Sequence, residues 1–175
     1  MRRVKSLFIA TFLCAVFFLP GHALGDHRLT ASLPQLEALY VQRLVNYVRW
    51  PGNSGPQPGQ SYIVAATDSA VLRPFFPKES GFKLVQWPSS ECHILLINRT
   101  PDREAAAILK RAKGYPVLTI GTRPINLHQG AMINFYMQSG KLRMQVNPQA
   151  ADEAGLSISS RLLKLVKIYR EKSDE

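Results

Sequence analysis

Four groups of side chains have types and spacing suited to chemistry. Ser80 and Lys83 stand in the S-x-x-K spacing of serine–lysine acylases, which set a serine nucleophile beside a lysine. That spacing arises often by chance, and the partner motifs of such an acylase are missing. Cys92 and His93 are adjacent. On a strand they would point to opposite faces and would not readily share a metal. The sequence has no HxH, HxxxH or CxxC spacing to suggest a metal centre. The expected role of Cys92 is a small buried apolar side chain, with an intermolecular bridge as the alternative. Trp50, Tyr62 and Trp87 could line an aromatic pocket, although aromatics in a domain of this size are usually core. Arg161, Lys164, Lys167 and Arg170 form a basic set that is either solvated or suited to an acidic partner or an anionic membrane surface.

No glycine-rich phosphate loop and no carboxylate pair accompany these groups. The expectation is therefore a protein that is not an enzyme and has no cofactor or metal. Asn98-Arg99-Thr100 matches a glycosylation sequon but reads as chance, with Thr100 as a helix cap.

The elements that position these groups begin after an address segment. Residues 1–5 are basic, Leu7 to Leu19 is apolar, and small residues follow around Gly21, Ala23 and Gly25. This is the pattern of a secretory signal peptide cleaved after Ala23 or Gly25, and the apolar run falls short of the roughly 20 residues that span a bilayer. The whole chain of 175 residues carries a net charge of +10. Removing residues 1–25 leaves +7 and Cys92 as the lone cysteine. Export takes nucleic acid off the list of partners that a basic charge suggests. Residues 26–175 then form one domain, large enough to bury a core without a disulfide.

A helix is expected from Ser32, its cap, to Trp50-Pro51, with Leu36, Leu39, Tyr40, Leu44 and Val48 on its apolar face. Strands are expected at Tyr62–Ala66, Lys83–Trp87, Cys92–Ile97 and Val117–Ile120. A short helix over Ser69–Phe76 and a longer one over Pro101–Lys113 lie between them. Ala131–Tyr136 and Leu142–Val146 form a hairpin through Ser139-Gly140. A last amphipathic helix, Ser157 to Glu171, would bury Ile158, Leu162, Leu165, Val166 and Tyr169 and turn its basic set outward. The fold class is α/β: a single-domain mixed sheet with helices on both faces.

Three blocks together carry a resemblance. They are LEALYVQRLVNYVRWP at 36–51, CHILLI with PVLTIG at 92–97 and 116–121, and a C-terminal group. That group contains GAMINF, KLRMQVN and AGLSISSRLLKL between 130 and 165. The chain resembles the YfiR family of bacterial periplasmic proteins over about residues 36–169. The resemblance implies a periplasmic repressor that binds the periplasmic sensor domain of an inner-membrane diguanylate cyclase. An outer-membrane lipoprotein would sequester it, cyclic di-GMP and biofilm output would follow, and the protein would be a homodimer. Two departures stand out. Glu37 occupies a position where the family often has a basic residue, and it reads as a surface change. The lone Cys92 excludes the internal disulfides of better-studied members.

The expected contact residues for such a partner are the basic set and the hairpin turn at 136–143. The competing reading is a periplasmic small-molecule sensor using the aromatic pocket. Asn134, Asn147 and Ser160 read as structural, with Asn147-Pro148 opening a turn before a helix.

Overall fold

The computed structural model describes residues 31–170. Ser32 caps the first helix, α1 (Leu33–Leu44), by accepting the Gln35 N–H at 3.3 Å. Pro34 sits in the first turn, where a missing N–H costs nothing. The helix ends earlier than its sequence suggests. Val45–Tyr47 is a 3-10 turn, and Val48–Arg49 is extended as strand β1. β1 pairs antiparallel with a strand near the C-terminus, and that long-range pairing competes with helix for the β-branched Val48.

The main sheet follows. Its strands are β2 (Tyr62–Ala66), β3 (Phe82–Gln86), β4 (Ile94–Ile97), β5 (Leu118–Gly121), β6 (Ile133–Gln138) and β7 (Lys141–Val146). The helices α2 (Asp102–Ala112), α3 (Ile125–His128) and α4 (Pro148–Glu153) lie between or after them. The chain then forms β8 (Ser157–Ile158), α5 (Ser160–Leu163) and β9 (Lys167–Ile168). Spatial order is β3-β2-β4-β5-β6-β7-β9, and every neighbouring pair is parallel except the β6–β7 hairpin. Ser139 at φ 50° and Gly140 at φ 71° make the tight turn of that hairpin.

Side chains alternate across the central strands and build two cores. Val64, Ala66, Ile94 and Leu96 pack with Ala38, Val41 and Leu44 of α1. Ala65, Leu95 and Ile97 pack on the other face with Ala105, Ile108, Leu109 and Ala112 of α2. The expected mixed sheet with helices on both faces is what the chain forms. Each fully buried leucine in these strands contributes about 2 kcal/mol by leaving water.

Four expectations fail locally. The long last helix is absent: residues 157–168 instead make β8, α5 and β9, pairing with β1 and β7. Leu165, expected on the buried face, is 79% exposed. Residues 69–76 hold only a 3-10 turn, Arg73–Phe75. Thr100 does not cap α2, whose N-cap is Pro101. Finally, Leu36, Tyr40, Leu44 and Val48 pack on the core as expected, but Leu39 stays 40% exposed, and Glu37, Ala38 and Val41 are buried beside Leu44.

Candidate functional site

β2 is followed by β3 on one side and then by β4 on the other, so the direction of strand addition reverses between β2 and β4. In parallel sheets the loops at such a reversal diverge and leave a crevice at the carboxyl ends of the strands. Here those loops are Thr67-Asp68-Ser69 and Asn98-Arg99-Thr100.

Asn98 ties the two together. Its side-chain oxygen accepts the Asp68 N–H at 3.0 Å, and its amide donates to the Asp68 carbonyl at 3.0 Å. The Thr67 hydroxyl donates to the Asn98 carbonyl at 2.7 Å and accepts the Asn98 N–H at 2.9 Å. Thr100 donates its hydroxyl to that of Thr67 at 2.7 Å. The sequon asparagine is thus consumed internally and only 2% exposed. This network holds Arg99 at φ 53°, a left-handed conformation that costs a non-glycine residue about 1 kcal/mol or more. The Arg99 guanidinium lies 3.5 Å from Asp68.

The loop after β5 is held as firmly. Asn126 of α3 is 1% exposed, and its side-chain oxygen accepts the Arg123 N–H at 3.0 Å. Any side chain on Gly121 would run into Asn126. Arg123 makes a two-pronged pair with Asp102, through Nε at 2.7 Å and Nη2 at 3.0 Å.

The open space lies one strand further along the same carboxyl edge: between the loops after β4 and β5, the start of α1 and the hairpin is a cleft of about 650 Å³. Glu37, Arg99, Arg123, Phe135, Met137 and Leu142 are among its lining residues. Glu37 is buried, at 6% exposed, so it is not the surface change its position near the helix start suggests. Burial pushes its carboxyl up to about 7, against a smaller pull downward from Arg99.

The aromatic trio is divided. Trp50 and Tyr62 come together, ring centroids 5.6 Å apart, and Tyr62 stacks on Phe82 at 5.4 Å, all against the α1-side core. Trp87 packs on the opposite, α2-side core, so the three do not line one pocket. Cys92 and His93 precede β4 instead of belonging to it, and both line one shallow cleft with Trp87. Cys92 nevertheless packs with the α2-side core, while the His93 ring lies 6.1 Å from that of Tyr62 on the α1-side core, so the two side chains divide between the faces of the sheet. His93 Nδ1 accepts the Ile63 N–H at 2.9 Å, and burial lowers its pKa, against a smaller opposing effect of Glu91. Burial pushes the half-buried Cys92 thiol up to about 11, keeping it protonated and poorly nucleophilic. Among the described residues no group of three or more His, Cys, Asp or Glu could hold a metal. The Ser80 hydroxyl donates to the Pro77 carbonyl at 2.6 Å.

Arg161, Lys164, Lys167 and Arg170 are all exposed, but they lie on α5, the turn after it, β9 and the residue run beyond, not on one helix face. The hairpin turn is exposed from Met137 to Lys141.

A family model described as YfiR/HmsC-like matches residues 34–167, from the first turn of α1 into β9. The chain belongs to the YfiR/HmsC-like family. None of the curated proteins matches it. Within this YfiR/HmsC-like chain, the carboxyl-edge cleft is the site that residue spacing did not reveal. The hairpin was the one sequence candidate that reaches it, through Met137 and Leu142. The available signal was the run of polar residues directly after two apolar strands, Asn98-Arg99-Thr100 and Thr122-Arg123. Asn134 is buried at 1% exposure and donates to the Phe135 carbonyl at 3.2 Å, so it does not face solvent. Asn147 caps α4 by accepting the Ala150 N–H at 3.1 Å, the turn-before-helix role expected of it. The signal peptide lies outside the described residues.

Proposed function

We propose that this chain is a periplasmic regulatory protein that binds the periplasmic sensor domain of an inner-membrane diguanylate cyclase and represses it. The observation that carries the reading is the YfiR/HmsC-like match over residues 34–167. A regulator of this kind does no chemistry. It shifts its partner between two states by no more than its differential affinity for them.

The reading includes export through a cleaved signal peptide over residues 1–25, self-association as a homodimer, and sequestration by an outer-membrane lipoprotein. The docking surface is the exposed basic set, Arg161, Lys164, Lys167 and Arg170, together with the hairpin turn. Of these charges, Lys167 lies on β9, the edge strand of the sheet. Charge complementarity at such a rim sets encounter rate and partner choice more than raw affinity. The test is capture, on the immobilised protein, of the periplasmic domain of a membrane diguanylate cyclase from the same genome. Retention of that domain supports the reading, and its passage unretained contradicts it.

The second reading is a small-molecule sensor. The divided aromatic trio does not support the pocket first assigned to it, but the carboxyl-edge cleft offers another.

A further inference from the structure

We propose that the carboxyl-edge cleft binds an apolar-bodied anion of small-molecule size. Its carboxylate or phosphate head would sit between Arg99 and Arg123, with its hydrocarbon part over Phe135, Leu142 and Met137. The inference goes beyond the regulatory reading and stands or falls independently of it.

The head group follows from the two guanidinium groups. Each arginine carries five N–H donors in a fixed fork. Arg123 spends Nε and Nη2 on Asp102, which fixes its orientation, and among the described residues Nη1 makes no ion pair or hydrogen bond. Arg99 is 61% exposed along its side chain and 3.5 Å from Asp68, a loose pairing that an incoming anion can compete with. Asn126 holds the Arg123 backbone directly, and the ties of Asn98 and Thr100 to the loop after β2 fix the residues on either side of Arg99, so both arginines start from set backbone positions before any ligand arrives.

The apolar body follows from the walls. Phe135 and Leu142 are 1% and 5% exposed and form the inner wall. Met137 and Leu33 are 48% and 45% exposed at the cleft, so large apolar side chains are left facing water beside it. A volume of about 650 Å³ falls within the roughly 300–1,000 Å³ of small-molecule sites.

Glu37 sets the electrical balance. Its neutral form leaves the two arginines dominant, and its ionised form puts a negative charge beside the bound anion. The other charged and titratable groups around it are Arg99, Arg123 and Tyr136 in the cleft, with Asp68 and Asp102 behind the arginines. Binding should therefore weaken as pH rises through about 7.

The experiment is calorimetric titration of the full chain with decanoate, decyl phosphate and decanol. Amide chemical shifts of Leu33, Arg99, Arg123 and Met137 report the location. The expected result is saturable one-to-one binding of at least one anion, with decanol at least about tenfold weaker. The preferred anion identifies the head group, carboxylate or phosphate. Arg99→Gln with Arg123→Gln should weaken binding about tenfold or more. Met137→Glu, an exposed change that leaves the fold intact, should do the same by repulsion. Glu37→Gln should keep binding and remove its dependence on pH near 7. Failure of both anions to saturate, equal binding of decanol, shifts located elsewhere, or full affinity in the arginine and Met137 variants would each overturn the proposal.

Discussion

Glu37 on α1 and Arg99 after β4 line the same cleft, and the arginine pulls down a carboxyl pKa that burial has pushed up to about 7. The desolvation effect is the larger of the two, so Glu37 folds as a neutral acid in mildly acidic solution. The sign of its effect on stability follows. Unfolded, the group ionises near its ordinary value of 4.5, and folded, only near 7. Between those values the folded state holds a proton that the unfolded chain has shed. The stabilisation is fully present below 4.5 and lost as pH rises through about 7. The loss is up to about 3 kcal/mol. Urea denaturation at pH 5 and pH 8 should show it, and Glu37→Gln should flatten the profile.

Gly121 and Asn126 form a second close pairing. Gly121→Ala forces its new methyl into the Asn126 side chain that holds the Arg123 backbone. The expected cost is about 1–3 kcal/mol from overpacking. Asn126→Gly in the same chain should recover part of that cost, because it removes the whole side chain, including the Cβ that stands nearest the new methyl. Denaturation of the two single variants and the double variant measures the coupling.

Asn98→Ala removes the link between the loops after β2 and β4 and leaves the Asp68 N–H and carbonyl without these partners. A loss of about 2–3 kcal/mol is expected, together with release of Arg99 from its left-handed conformation. Thermal unfolding reads the first effect, and the Arg99 amide chemical shift reads the second.

Lys164→Glu with Lys167→Glu should change stability by less than about 0.5 kcal/mol, since both side chains are exposed. The same change should weaken capture of the cyclase's periplasmic domain. Unaltered capture would remove this surface from the account.

Cys92 should react with iodoacetamide far more slowly than free cysteine at pH 8. Its thiol, pushed up to about 11, holds little thiolate at that pH. A rate equal to that of free cysteine would contradict its burial.

The parts of the fold legible along the chain were those set by local spacing. Tyr62–Ala66 was readable as an apolar run, and the β6–β7 hairpin through Ser139-Gly140, because turn chemistry is local. Residues 157–168 misled because Ile158, Leu162 and Leu165 also fit helical spacing. What makes β8 and β9 strands is their pairing with Val48–Arg49 and Gln145–Val146, partners distant in sequence. The inward face of α1 was legible at Leu36, Tyr40 and Leu44 but not at Glu37 or Leu39, for a related reason. Its sheet-facing side chains are Ala38, Val41 and Leu44, and Glu37 is carried inward with them. The cleft was the least legible feature. Its walls come from α1, two loops and a hairpin, and only strand order brings them together. Its polar ties, Asn98 and Asn126, resemble ordinary loop residues until their partners are seen.

The regulatory account is tested most directly by cellular cyclic di-GMP in a strain lacking this gene, against the same strain with the gene restored. The account predicts a rise on deletion that falls back on restoration. An unchanged level, with a membrane diguanylate cyclase bearing a periplasmic domain present and expressed, would contradict it.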